Sequence, residues 1–401
     1  MELTLEEVKP IIKHIINTNF YNQEHFGAMP IGVEIIGHCG IGKSMIISDL
    51  AKEYDANFIK LNLAMMCETG DLCGFPIREH YVCKDDDCQW ITPELIKSYA
   101  EAGYHITTET RMSYALPSWL KDLDTSKPTI LCLDDYNRAI PALLAASMEL
   151  IYQQEYLSWK LPPRTQVVLT SNYDDGSYSV NSLDAAQKSR FVSFNVKFDA
   201  NAWAKWAQSE GIDSRCQNFL LLYHTELMNR KQGYSKVNAR NYTMFANIIS
   251  GIDDWSTLEN QALILQIASG CFLDDSDIVG GLFTQFISNK LDKLIDPELL
   301  VTGSFDRVKK ILLDQLYDED LYRADIANVI TTRFINFASN WIDQKKDIKV
   351  IIDRIVDIID CDKQLLSEDL LFSLIKTLNT NHMGKCSKLI LNPKIANKLM
   401  S

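Results

Sequence analysis

The octet Gly37-His38-Cys39-Gly40-Ile41-Gly42-Lys43-Ser44 constrains the fold more than any other part of the chain. It fits G-x-x-x-x-G-K-[ST] in full and separates two stretches of different periodicity. Before it, Pro30–Ile36 is a short apolar run rich in β-branched residues. Behind it, Ser44–Glu53 repeats apolar residues at helical intervals. Strand, glycine turn and helix form the context that a phosphate-binding loop requires. Glycines let the backbone wrap so that successive N–H groups point at phosphate oxygens, helped by the positive end of the following helix. Lys43 is expected to put its ammonium at the β/γ-phosphates, and Ser44 to complete the coordination of magnesium. Gly37, His38, Cys39, Gly40, Ile41, Gly42, Lys43 and Ser44, with Met45 behind them, are the candidate nucleotide-binding residues, and ATP and Mg2+ are the implied ligands. The bland alternative, a glycine turn followed by a chance Lys-Ser, does not account for the flanking strand and helix.

Two further apolar runs end in polar residues suited to the same chemistry. Thr129-Ile130-Leu131-Cys132-Leu133 is buried-strand material and delivers Asp134-Asp135 to its carboxyl end, where doubly wound sheets bind their ligands. Asp134 is the candidate metal residue. Asp135 stands where a base would orient an attacking water. Acidic pairs after strands also serve as helix caps, but the phosphate loop upstream favours the functional reading. Val167-Val168-Leu169-Thr170 ends in Ser171-Asn172. Asn172 can hydrogen-bond a γ-phosphate or water, or can simply form a turn before Tyr173-Asp174-Asp175-Gly176, and local sequence alone leaves both open.

The remaining strand candidates are Asn57–Leu61 and Arg190–Val196, with helical stretches at Ala142–Gln153 and Leu183–Ser189. Alternating strands and helices predict an α/β fold with a doubly wound parallel sheet. An entry helix is expected over Leu3–Phe20. A turn-rich surface insertion is expected over about 67–118, with Gly70, Gly74, Pro76, Pro93, Gly103 and Pro117. From Asn201 the strand signals fade. Amphipathic helices are predicted over Ala202–Glu210, Ser214–Asn229, Asn238–Ser250, Thr257–Ile267 and Asp277–Leu294, then Val301–Tyr317, Arg323–Lys345, Ile348–Ile359 and Leu365–Leu378. The expected organisation is an amino-terminal helix (1–29), an α/β core (30–199), a helical lid (200–297) and a carboxyl-terminal helical region (298–401).

Composition narrows the partners. With 401 residues, 46% hydrophobic and 23% charged, the chain is globular and long enough for more than one core. Its 40 basic and 53 acidic side chains leave a formal charge of -13, which opposes nonspecific attachment to nucleic acid or anionic membrane. No apolar run approaches the roughly 18 residues of a membrane helix. The opening Met1-Glu2-Leu3-Thr4-Leu5-Glu6-Glu7 carries acid where a secretory signal carries base, so a cytoplasmic location is expected. The 10 cysteines are scattered and expected mostly reduced. Cys67, Cys73, Cys83 and Cys88 admit two readings: a zinc site, or free cysteines around an acidic hairpin turn. The second is preferred because the spacing lacks paired C-x2-C knuckles.

Taken in order, these motifs resemble the AAA+ superfamily and its MoxR-like branch. Leu133-Asp134-Asp135-Tyr136-Asn137-Arg138-Ala139 is similar to that branch's D-E-x-N-R-A, and Leu144-Ala145-Ala146-Ser147-Met148-Glu149 to its LLxxME helix. Val168-Leu169-Thr170-Ser171-Asn172 resembles the sensor-1 strand, which implies that Asn172 senses nucleotide. Leu183–Phe191 is similar to the segment ending in L-x-R-F, which implies that Arg190 is an arginine finger acting in a neighbouring subunit. Arg240, within Val237-Asn238-Ala239-Arg240-Asn241-Tyr242, falls at the sensor-2 position, and Asn201–Gly211, with Trp203 and Trp206, resembles the start of the lid.

The resemblance covers roughly residues 30–270. It implies an ATP-hydrolysing subunit of a homo-oligomeric, usually hexameric ring that remodels or assembles a protein partner, often one with a von Willebrand factor A domain. Arg138 can cap its helix, pair with an acid or face a neighbour. Two departures stand out: Asp135 occupies the place of the usual Glu, and the family offers no template beyond about residue 298. The shorter carboxylate raises the alternative of a nucleotide-gated scaffold that hardly hydrolyses.

Overall fold

Five apolar runs lie side by side and point the same way in the computed structural model: β1 (Gly32–Gly37), β2 (Asn57–Asn62), β3 (Thr129–Asp134), β4 (Thr165–Ser171) and β5 (Phe191–Val196). They form one parallel sheet in the order β5-β1-β4-β3-β2. Parallel strands need crossovers, and the crossovers cover both faces. One face carries α1 (Leu5–Phe26) and α2 (Lys43–Glu53), whose Val8, Ile12, Ile16, Ile47 and Leu50 meet Val33, Ile35, Ile130, Cys132 and Val168. The other carries α3 (Pro141–Tyr152), whose Leu143, Leu144, Leu150 and Ile151 meet Leu131, Leu133, Val167 and Leu169. The alternation within β3 and β4 thus divides their side chains between two cores, which is why both strands are buried throughout. This architecture, with the mainly helical second half described below, is an α/β fold built on a doubly wound parallel sheet.

The structure describes residues 2–176, 178–228, 237–319, 321–382, 389 and 391–400. Contacts divide the chain into two units, Met1–Phe198 and Asp199–Ser401. In the first, α1 begins two residues later and ends six residues later than predicted. Thr4 and Glu7 form a capping box, Gly27 closes the helix in a left-handed conformation, and Leu3 instead bridges β5. Asn19 holds the helix to the sheet. Its Nδ2 donates to Ile31 O (2.9 Å) and Gln166 Oε1 (2.7 Å), and its Oδ1 accepts from Ile31 N (3.1 Å).

The insertion folds into a short helix, Thr69–Cys73, and a three-stranded antiparallel sheet of Pro76–Lys84, Asp87–Ile91 and His105–Tyr114. Trp119 and Trp159 pin the short helix by donating to Leu72 O and Cys73 O, both at 3.0 Å. Here the cysteine expectation needs correction. Cys83 and Cys88 stand directly opposite each other in the hairpin register and are bonded to one another, not free. Cys73 is buried, and burial pushes its thiol up to about 11, away from the thiolate that zinc needs. No group of three or more His, Cys, Asp and Glu that could hold a metal ion occurs among the described residues.

In the second unit, α4 to α8 span Ala200–Ser209, Ser214–Leu227, Ala239–Ile249, Leu258–Phe272 and Ser276–Ser288. The predicted end of the second of these helices, Asn229, lies outside the described residues. Aromatic residues fill their core: Tyr242 donates to Cys216 O (2.6 Å) among Trp203, Phe219 and Phe245. The predicted helix over Val301–Tyr317 is two helices, Pro297–Thr302 and Phe305–Leu316, broken at Gly303 and Ser304. Three further helices follow: Ala324–Asp343, Lys349–Ile359 and Glu368–Asn381. The first carries Arg333, which is buried and donates to Asn218 Oδ1 (3.0 Å), with Asp296 at 3.9 Å. Burial lowers its guanidinium to about 10 against the pull of Asp296. These bonds tie residues on both sides of position 297 into one unit. No helix among the described residues is long and apolar enough to cross a membrane.

Asn19→Ala strips partners from the Ile31 N–H and from the buried Gln166. It is expected to destabilise the first unit by about 2 kcal/mol. A urea midpoint equal to wild type would show that α1 is anchored by its apolar stripe alone.

Candidate functional site

The site grows out of the carboxyl ends of β1, β4 and β3, which lie next to one another in that order. The glycine octet leaves β1 and enters α2 at Lys43. Gly37 admits no side chain, because a Cβ there would stand 2.7 Å from Val196 O and 2.8 Å from Ile41 Cδ1. Gly42 caps α2 at φ 100°, a conformation that side chains resist. Lys43 is buried with its Nζ turned back into the loop, donating to Gly37 O (2.6 Å), His38 O (2.8 Å) and Asn172 Oδ1 (3.3 Å).

Asn172 and Asp135 extend this chain of contacts. Asn172 Nδ2 donates to Asp135 Oδ1 at 3.0 Å, so lysine, amide and carboxylate form one relay across three elements. Asp135 takes a left-handed conformation (φ 52°), one that Asp tolerates better than most residues, and this turns the chain sharply off β3. Arg138 Nη1 lies 3.7 Å from Asp135 Oδ2, an acid pairing within the chain.

Asp134 has three partners. Its Oδ1 accepts from Ser44 Oγ and Thr170 Oγ1, each at 2.6 Å, and its Oδ2 meets Lys60 Nζ at 2.8 Å. Burial pushes its carboxyl up, but the Lys60 ammonium and the Ser44 and Thr170 hydroxyls outweigh that and hold it below the ordinary carboxylate range. A glycine cradle that excludes Cβ atoms, a buried lysine inside it, and a hydroxyl against a carboxylate fit a magnesium–triphosphate pair. Lys43 and the loop amides suit the phosphates, and Ser44 and Asp134 suit the metal.

Several participants were not singled out by sequence. Thr170 both donates to Asp134 and accepts from Asp135 N (3.1 Å). Asn137 clamps the Asn172 backbone from both sides, donating to its carbonyl (2.7 Å) and accepting from its N–H (3.1 Å). The Tyr178 hydroxyl accepts from Cys39 N (3.2 Å) beside His38, whose ring packs on Tyr173. The D-x-N-R run was a signal for Asn137; nothing local marked Lys60, Thr170 or Tyr178.

The two arginines stand apart. Arg190 immediately precedes β5, whereas the phosphate loop follows the far end of β1, paired there with Val196. Six residues of strand separate the two levels, about 20 Å at 3.3 Å per residue. Its guanidinium donates to Ala186 O and lies over the Tyr152 ring. Arg240 belongs to the second unit, exposed in the first turn of Ala239–Ile249, where its N–H is capped by Asn238.

No family model and no curated protein sequence matches the chain. Two solved Thermotoga maritima structures are similar to it. One is a proline-to-glycine mutant of RuvB, at 12% identity over 87% of this chain and 87% of its own, with a TM-score of 0.29. The other, the RuvB Holliday junction branch migration motor, is 13% identical over 65% of this chain and 75% of its own, with a TM-score of 0.30. Such values carry no functional inference to this chain.

The depressed carboxyl of Asp134 has a defined pH signature. Its contribution to stability is complete above the unfolded carboxylate value and is lost as the pH falls through the lower folded value. Wild type is therefore expected to lose stability below about pH 4 with a component that Asp134→Asn lacks. Acid-unfolding curves of the two proteins check this, and parallel curves over that range would refute it.

Proposed function

We propose that this chain is an ATP-binding and ATP-hydrolysing AAA+ protein of the MoxR type, coupling turnover in a homo-oligomeric ring to the remodelling or assembly of a protein partner. The observation that carries the reading is the convergence of Lys43, Ser44, Asp134, Asp135 and Asn172 at one end of one sheet. When bound, Mg-ATP supplies the transferable γ-phosphoryl group, with the metal offsetting charge on the phosphate oxygens. The loop amides and Lys43 bind and orient the triphosphate, and Ser44 and Asp134 hold the metal. Asp135 accepts a hydrogen bond from the attacking water and aligns it, while Asn172 links that carboxylate to Lys43. Asn137 and Thr170 position Asn172 and both acids.

Arg190 belongs to a different step. Its distance from its own loop supports service to a neighbour's site, where such a cation adds about 10³- to 10⁵-fold in rate. Arg240 is the proposed lid residue that reports nucleotide state, with the lid at 200–297 and the tail region at 298–401. For partner contact the insertion is the proposed surface, with exposed Phe75 and Met112 at its ends. A von Willebrand factor A domain is the proposed partner class, and the cytoplasm the proposed location.

A second reading, a nucleotide-gated scaffold, is favoured by Asp135 itself. It is one methylene shorter than Glu and tied to Asn172 and Arg138. Turnover measured on wild type, Asp135→Glu and Lys43→Ala separates the two. A hydrolase predicts measurable wild-type turnover, raised about 10- to 100-fold by Asp135→Glu as the carboxylate reaches the water. It also predicts nucleotide binding about 10- to 100-fold weaker in Lys43→Ala by calorimetry. Wild-type turnover at background, with binding intact, would select the scaffold. Shared sites add a further expectation: ATPase activity per subunit falls on dilution as the assembly separates. Constant specific activity down to the monomer would remove Arg190 from the mechanism.

A further inference from the structure

Among the described residues, Lys60 is the one cation that meets the candidate metal carboxylate, and the role proposed above gives it nothing to do. It lies on β2, an edge strand, two residues before Asn62, which is register-paired with Asp134. Alternation along β2 sends Ile59 and Leu61 into the α3 core, and puts Lys60 on the α2 face with Asn62 and, across the ladder, Cys132 and Asp134. From there its stem crosses diagonally to Asp134 Oδ2 at 2.8 Å, while Ser44 and Thr170 occupy Oδ1. Lys60 thus holds the carboxylate oxygen that no hydroxyl engages, which is where a metal or its water would bind.

We propose that Lys60 is a tethered cation that competes with magnesium for Asp134 and so sets the magnesium concentration at which nucleotide is held. This rests on the nucleotide reading of the same site. A divalent ion bound to Asp134, directly or through water, lies close to any ammonium still on Oδ2, and like charges at that separation repel. One must leave. The ammonium can, because the Lys60 side chain is 44% exposed and its four-carbon stem swings into water without opening the sheet. The hydroxyls of Ser44 and Thr170 stay with Oδ1, so the exchange changes the cation and not the position of the carboxylate.

The test is calorimetric binding of ADP across a magnesium titration, with wild type, Lys60→Met and Lys60→Arg. Manganese binding followed by electron paramagnetic resonance serves as a direct reading of the metal. An ion pair this exposed biases the exchange modestly, so half-saturating magnesium should fall about 2- to 5-fold in Lys60→Met. ADP affinity at saturating magnesium should be unchanged, manganese should bind correspondingly tighter, and Lys60→Arg should keep the wild-type requirement. A purely structural lysine would leave the magnesium requirement of Lys60→Met at the wild-type value. A phosphate-binding lysine would weaken ADP at saturating magnesium. Either result overturns the proposal while leaving the nucleotide reading in place. Wild type that takes up no ADP at any magnesium concentration would overturn both.

Discussion

A single carboxylate joins four elements of the first unit. Asp134 ends β3, and its bonds to Ser44, Thr170 and Lys60 reach the start of α2, the end of β4 and the edge strand β2. Such a group is costly to bury alone, and here every oxygen has a donor. The bonds also depend on strand order. Thr170 reaches Asp134 because β4 is the neighbour of β3, and Ser44 reaches it because β1 lies just beyond β4 and feeds α2. The apolar alternation that splits β3 between two cores is therefore what delivers this charge to its three partners. In an isolated strand the same residues would carry an unpaired acid.

That dependence explains what was legible in the sequence. Local features read directly: glycines before Lys43-Ser44, acids after an apolar run, and stripes at helical spacing. Each is set by neighbours within one or two turns of chain. Lys60 and Thr170 were illegible because their meaning comes from lateral register, and nothing in Asn57–Asn62 tells which strand it will pair with. Cys83 and Cys88 lie between these cases. The acidic hairpin turn is visible, but whether two cysteines face each other depends on a register that one inserted residue would reverse. The unbroken helix expected over Val301–Tyr317 failed for a plainer reason: apolar periodicity runs on across Gly303, while the backbone does not.

The second unit shows the same division. Its helices were legible because amphipathic stripes of this length have few other uses. Its assembly was not. Arg333 is the charged residue on the buried face of its helix, which also carries Thr331, Asn336 and Ser339, and its partners Asn218 and Asp296 lie far away in sequence. A buried guanidinium stays where it is only while those groups surround it. Breaking the set leaves a desolvated charge and is more damaging than never having had one. The arginine thus specifies how the helices after residue 297 pack on those before it.

The positions of the charged groups along the sheet also limit how copies can associate. Lys43, Asp134 and Asp135 emerge at the carboxyl ends of the strands, whereas Arg190 precedes β5 at the opposite end. An arginine about 20 Å along the strand from its own loop cannot neutralise phosphate there. If it neutralises phosphate at all, it does so in another copy, and the surface that gives differs from the surface that receives. Such an interface is heterologous. A two-fold dimer can satisfy both surfaces only by placing two separate contacts symmetrically, whereas a head-to-tail series satisfies one loop and one arginine at every junction. Whether that series closes depends on the rotation from one copy to the next, so ring formation is a property of the interface angle and not of the nucleotide site.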